Sequence, residues 1–201
     1  EKNLNIHYKI QSRADLLMQD DYIEDLYQSG LSEVWIGAES GSQRILDAMD
    51  KGISIDQIES STKLLHEKKV RVAYFLQFGY TSETKEDIQS TLDMVKKNNP
   101  DDIGISVSYP LPGTVFYDRV KSEMGTKTNW TDSDDLEIMF KSNYSPTFYK
   151  QLQRYVHYDF RLRQGKQKLF NSAKSNVPLR YVGLIPYNFF RAFLLKLKLS
   201  L

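Results

Sequence analysis

Along residues 5–114, short apolar or alternating runs take turns with longer stretches whose apolar residues recur every three or four positions. That is the pattern of strands interleaved with amphipathic helices. Residues 5–12 alternate loosely and read as a strand, with Arg13 at its C-terminal end. Residues 20–29 read as a helix: acidic residues crowd the first turn, Ile23 and Leu26 share a face, and Gly30 suits the left-handed residue that ends a helix. Residues 34–38 form a short apolar strand, and a short helix over 43–50 stops near Gly52. Ser54 is placed to cap a helix over 55–69, with Ile58 and Leu65 facing inward. Residues 70–78 are a strongly apolar strand. Thr84 and Asp87 form a capping box with Asp in place of the usual Glu, opening a helix with Ile88, Leu92 and Val95 on one face that ends before Pro100. Residues 103–108 are the next strand. The order β-α-β-α-α-β-α-β has the unit lengths of right-handed parallel βαβ repeats, so the class is α/β.

Three of these strands end in polar or turn-rich sequence: Glu39-Ser40-Gly41-Ser42, then Gly79 to Thr84, then Tyr109 to Thr114. Open α/β folds bind ligands beyond the carboxyl ends of their parallel strands. The three ends therefore predict one shared site on one face of a barrel, with the Glu39 carboxylate pointing into it. After Thr114 the pattern changes. A helix is expected over 115–123, an acidic loop-like stretch with Trp130 over 129–140, a polar helix rich in Tyr and Arg over 148–168, and an apolar, basic tail over 177–201. The expected divisions are 1–125, 126–176 and 177–201.

The 201 residues suffice for one domain with a sizeable core, or a large domain and a tail. A net charge of +1 gives no case for nucleic acid as a partner. Complete absence of cysteine excludes disulfides, zinc ribbons and thiolate chemistry within this chain, and fits a reducing compartment. His7 and His66 lack partners at metal-ligand spacing, so no metal site is read here. The first residue is Glu, no signal peptide follows, and the chain opens in what reads as a strand already under way. A fragment is expected, cytoplasmic, with peripheral membrane association left open. No run is long and apolar enough to span a bilayer.

The succession IGAESGSQRILDAMDKGIS, FLQFGYTSETKEDIQSTLDMV and YPLPGTVFYDRV resembles radical S-adenosylmethionine enzymes of the cobalamin-binding type, relatives of the anaerobic magnesium-protoporphyrin ester cyclase. The likeness covers residues 5–125 in order and at natural spacing, and NWTDSDDLEIMF with YVHYDFRLR resembles that subgroup's C-terminal extension. It implies the C-terminal part of a partial (β/α)6 TIM-like barrel, supplying roughly the last four strands and followed by a helical extension. It also implies S-adenosylmethionine and a 4Fe–4S cluster as cofactors, with cobalamin left open. The family's CxxxCxxC loop and its Gly-Gly-Glu-type element, after the first and second strands, are not in this sequence. Three thiolates must hold such a cluster. The expectation is a cofactor-cradling, substrate-facing half that is inactive alone, with the cluster ligands and any cobalamin domain upstream.

By this resemblance Glu39 and Ser40 reach the ribose or methionine end of the cofactor, since ribose hydroxyls want a carboxylate acceptor and a sulfonium tolerates negative charge. The bland alternative is a capping turn without a ligand. Arg13 pairs with the cofactor carboxylate or is a surface arginine. Gln77 contacts adenine or substrate or is a plain interior polar residue. Backbone atoms of Tyr109 and Leu111 flank adenine, or the Pro110–Thr114 run is only a rigid turn. Ser42 is read as a helix cap, Gly37 and Gly41 as points of close backbone approach, and Glu83 as serving its turn and the following helix N-terminus. Thr81 and Ser82 stand where the family has Pro and Gly, so Ser82 must take a glycine-like conformation at a cost of ~1 kcal/mol. His157 and Arg161 could meet an anionic substrate but read first as a solvated or packed helix face. The segment 187–201 could lie on a membrane surface; its narrow polar face favours packing on the missing upstream domain instead.

The resulting expectation is a radical S-adenosylmethionine enzyme performing cobalamin-assisted methylation or rearrangement, methyl transfer leading, on an unknown small-molecule or lipid-like substrate, with an external one-electron donor. The alternatives are a catalytically inactive barrel binding a nucleotide or protein, and an ordinary α/β binding protein without this chemistry.

Overall fold

A computed structural model of the chain describes residues 6–124, 138–171 and 179–201. The expected divisions at 125–126 and 176–177, the start of the first strand at Asn5, and most of the acidic stretch with Trp130 lie outside them. The chain forms two compact units, Glu1–Asn143 and Tyr144–Leu201.

The first unit is built on four strands, β1 (Tyr8–Ser12), β2 (Leu31–Glu39), β3 (Arg71–Phe78) and β4 (Asp102–Val107), all parallel and in the order β1-β2-β3-β4. The connections carry α1 (Ala14–Leu17) and α2 (Tyr22–Gln28), then α3 (Gln43–Ala48) and α4 (Ile55–Glu67), then α5 (Lys85–Asn98); α6 (Val115–Val120) follows β4. The expected order holds with one addition. α1 is a single turn, too short for apolar periodicity to reveal.

Local chemistry explains the helix ends. Ser54 and Thr84 each accept the N3 backbone N–H while Gln57 and Asp87 reach back to the cap N–H, two complete capping boxes. Gly30 follows α2 with φ +103°, and Asn99 ends α5 in the left-handed conformation.

Strand geometry then sorts the side chains by face. Val34, Ile36 and Ala38 of β2, with Val72, Tyr74, Leu76 and Phe78 of β3, are fully buried on the helix-covered face. Leu17, Ile45, Ile58, Leu65, Ile88 and Val95 of the helices are equally buried. The Tyr74 hydroxyl meets Thr62 of α4 at 2.5 Å, and burial pushes its pKa up to about 12.

The other face is the inner wall of the expected barrel. Its central positions on β2, β3 and β4 are mostly half-buried, those on β1 and those of β3 and β4 at the N-terminal edge are exposed, and register aligns them in rows across the strands. At the N-terminal end Glu33 pairs with Lys9 (3.4 Å) and Arg71 (3.3 Å) and accepts the Trp35 indole N–H (2.9 Å). In the middle the rings of Trp35 and Phe75 lie 4.6 Å apart. Gly104 lies beneath them, and a Cβ there would sit 3.2–3.3 Å from both rings. At the C-terminal end Gln77 stands opposite Ser106, and Glu39 closes β2.

The second unit consists of two helices, α7 (Pro146–Asn171) and α8 (Leu179–Leu199), packed on each other. They approach closely at Gly165, where a Cβ would lie 3.0 Å from Ile185 Cγ1. α8 begins before the expected 187 and runs through Pro186.

Candidate functional site

The site is the C-terminal rim of the sheet, built by the turns after β1, β2, β3 and β4. At the end of β2 the register slips by one residue between Gly37 and Glu39. Such a bulge bends the strand and re-aims the side chain that follows. Glu39 takes a left-handed backbone conformation (φ +56°), and the Ser40 N–H returns to Ala38 O at 2.7 Å. A non-glycine residue there costs about 1–2 kcal/mol, and strain of this kind concentrates where a side chain has a task. The carboxylate folds over Gly37 on the inner face: a Cβ at Gly37 would lie 3.2 Å from Glu39 Oε1. That oxygen accepts from Lys51 Nζ at 2.8 Å, and among the described residues nothing donates to Oε2. Gly37 thus makes room for the acid.

Ser40, expected beside Glu39 at the cofactor, is placed differently. It is wholly buried, its hydroxyl lies 3.2 Å from Thr91 Oγ1, and it accepts the Ser42 N–H at 3.1 Å. Gly41 passes so close to α5 that a Cβ would overlap the Ser90 backbone, while its N–H donates to Thr91 Oγ1 at 2.9 Å. Ser42 occupies the N-cap position of α3 but makes no capping bond; its hydroxyl donates to Asp87 Oδ1 at 2.6 Å. Both serines fasten the turn to α5.

Arg13 sits at the end of β1, paired with Asp15 (2.9 and 3.0 Å) and reaching Gly52 O at 3.5 Å. The hydrogen bond and charge of Asp15 raise the Arg13 pKa further and lower that of Asp15. Gln77 is half-buried on the inner face near the rim. Tyr109 is half-buried and Leu111 exposed, and Leu111 O accepts from Thr114 N and Oγ1, so this carbonyl closes the loop.

The turn after β3 has the expected glycine-like residue: Ser82 has φ +69° beside Gly79 at +82°. Glu83 is wholly buried, with Oε2 accepting the Gly79 N–H at 2.7 Å and no described residue bonding Oε1. Burial pushes its pKa up to about 8, so it holds its proton at neutral pH. Its part in the turn matches expectation. A charged partner for the helix N-terminus it is not, because burial disfavours the anion. Asp87 next to it has the opposite fate. Burial pushes its pKa up, but bonds from Ser42, Thr84 and Arg44 outweigh that and hold it at about 2. Arg44 pairs with Asp87 and also donates to Ser82 O (3.0 Å) and Ser82 Oγ (3.2 Å). Residues 42 and 44 of one turn are thus tied through Asp87 to 82–84 of the next. Sequence reasoning finds the Thr84–Asp87 box but not the Arg44 and Lys51 partners, since no spacing rule links residues so far apart or in a loop.

The rim can accept hydrogen bonds through Glu39 and offer an amide at Gln77, and the aromatic pair Trp35 and Phe75 lies in the middle of the same face. That suits a ligand with hydroxyls, a positive centre and a flat ring. It does not suit a metal cluster: the chain has no thiol, and among the described residues no three His, Asp or Glu converge on a metal position.

The fold places the chain in the α/β class with a partial-barrel sheet. The profile of the Radical SAM superfamily matches residues 1–95 of the chain. It is 24% identical over 139 residues to bacteriochlorophyllide d C-12(1)-methyltransferase of Chlorobaculum tepidum, covering 69% of this chain and 30% of that enzyme. It is 25% identical over 133 residues to anaerobic magnesium-protoporphyrin IX monomethyl ester cyclase of Rubrivivax gelatinosus, covering 66% and 23%. The chain thus spans less than a third of either relative. In structure it resembles the cobalamin-dependent S-adenosylmethionine radical enzyme OxsB, with a TM-score of 0.55 at 17% identity over 98% of this chain and 35% of that one. The parallel sheet with its rim on the C-terminal side thus has the fold of a segment of that enzyme's barrel.

Proposed function

We propose that this chain forms the S-adenosylmethionine-binding rim and substrate-facing wall of a radical S-adenosylmethionine methyltransferase. One observation carries the reading: the bulged, strained Glu39 holds a carboxylate over the inner face with one oxygen on Lys51 and no described residue donating to the other. A carboxylate oxygen accepts from ribose hydroxyls, and a negative rim steadies the adjacent sulfonium. Gln77 orients the ligand beside it, and the 109–114 loop limits water access from the β4 side. Arg13, at the same rim, faces the cofactor carboxylate once Asp15 yields. The bound cofactor supplies a reductively cleavable carbon–sulfur bond and a transferable methyl group. This chain has no ligands for a 4Fe–4S cluster, so those come from a segment other than this one, as would any cobalamin site and the docking place of the electron donor. Methyl transfer is favoured because the bacteriochlorophyllide relative is a methyltransferase.

Titration calorimetry of S-adenosylmethionine into the chain tests the reading. Binding should occur and weaken about tenfold or more in Glu39→Gln, since a hydrogen bond to a charged group is worth about 1.5–3 kcal/mol. Equal affinity of Glu39→Gln and the native chain would refute the assignment.

A further inference from the structure

From Arg161 to Leu201 the chain carries nine Lys or Arg and no Asp or Glu. The net charge of +1 for the whole hides this, because an acidic first part balances a strongly basic last part. In the second unit this charge meets an unusual helix. One stripe of α8, including Asn188, Ala192 and Leu199, is buried. A second apolar stripe is exposed: Phe189 is 56% accessible, Phe190 59%, Phe193 51% and Leu197 62%, with Leu194 beside them. Phe189, Phe193 and Leu197 recur every fourth residue and form one row, and the rings of Phe189 and Phe193 stack at 6.3 Å. By helical spacing Arg191 and Lys198 edge this row on one side and Lys196 on the other. The Arg191 edge continues onto α7. Its guanidinium lies over the Tyr158 ring at 5.4 Å, and Tyr158 lines a cleft of about 410 Å³ with Arg161 and Lys168.

Packing thus occupies one apolar stripe of α8 and leaves the other bare, which the narrow polar face in the sequence does not reveal. We infer that α8 lies in the plane of an anionic membrane surface, its Phe189–Leu197 stripe in the headgroup–acyl boundary and its basic edges on the lipid phosphates. The two-sided basic edge around an aromatic stripe is what an in-plane helix requires. Spanning is not available: among the described residues no helix is long and apolar enough to cross a membrane. A second copy of the chain fits poorly, since a two-fold contact through this stripe would bring like-charged edges together with no acid on α8 to answer them.

Co-sedimentation of the full chain with phosphatidylcholine vesicles, with and without phosphatidylglycerol, tests this independently of the cofactor. The chain should sediment with phosphatidylglycerol vesicles and be released by salt. Each of Arg191→Gln, Lys196→Gln and Lys198→Gln should weaken binding about fivefold, and Phe193→Asp at least about tenfold, with helix content unchanged by circular dichroism. No binding, equal binding to both vesicle types, or native affinity in the charge variants would overturn the proposal. So would a native dimer that Phe193→Asp makes monomeric.

Discussion

Two turns at the same rim put a glutamate in nearly the same topological place and give it opposite lives. At the end of β2, Glu39 stands on a bulge, strained, its carboxylate on the inner face beside Lys51. After β3, Glu83 is sealed beneath its turn, protonated, bonded to the Gly79 N–H. Both precede a helix, and both belong to a strand–turn–helix connection. What separates them is the direction of the backbone. The bulge turns one acid toward the ligand side, and the tight turn folds the other inward. A carboxylate at a strand end is therefore no site by itself; its exposure decides.

The largest test removes what holds the two turns in step. Asp87→Ala takes away the acceptor for Ser42, Thr84 and Arg44 and leaves the guanidinium without its partner. Removing a charged hydrogen-bond acceptor costs about 1.5–3 kcal/mol, and the half-exposed Arg44 guanidinium, left in solvent, adds little. Urea denaturation should show a loss of that order, with both turns loosened in hydrogen exchange.

Next comes the pH dependence of the sealed acid. The Glu83 pKa is about 8 in the folded chain against 4.5 when unfolded. Its contribution is fully present below pH 4.5 and is lost as pH rises toward 8, because the folded state keeps a proton that the unfolded state has released. The slope is about 1.4 kcal/mol per pH unit at its steepest. Glu83→Gln should flatten that decline in thermal melts across this range. Asp87 works in the other direction. With a folded pKa of about 2 against 3.8, it stabilises above pH 3.8 and loses that effect as pH falls toward 2. If Glu83→Gln retained the full decline between pH 4.5 and about 8, the contrast between the two acids would fail.

The smallest effect is the most discriminating. Glu39→Gly relieves a left-handed backbone and should leave stability unchanged or raised by up to about 1 kcal/mol, while S-adenosylmethionine affinity falls. Ser82→Gly relieves the same strain in the neighbouring turn and should give a similar gain with affinity intact. Denaturation and calorimetry on the pair separate strain that serves binding from strain that serves only the turn.

Much of this was legible in the residues. Apolar spacing placed the four strands in order, the Ser54 and Thr84 boxes marked two helix starts, and the glycine-like demand on Ser82 followed from the residue it replaces. Contacts between distant residues were not legible. Nothing in sequence ties Arg44 to Asp87 or Lys51 to Glu39, because such pairs depend on how two turns are brought side by side. Ser40 next to Glu39 reads as an equal candidate. Only alternation across a bulge shows that one faces the inner wall and the other is buried against Thr91 of α5. The single-turn α1 has too few residues for a period, and the bare stripe of α8 looks the same in sequence as the stripe that packs.

Trp35 shares a strand and a face with Glu39, half-buried against Phe75, in a chain with two tryptophans. Its indole is thus a native optical probe set into the inner face that leads to the candidate site. A ligand settling there displaces water from the ring, so its emission should move toward the blue without any attached dye.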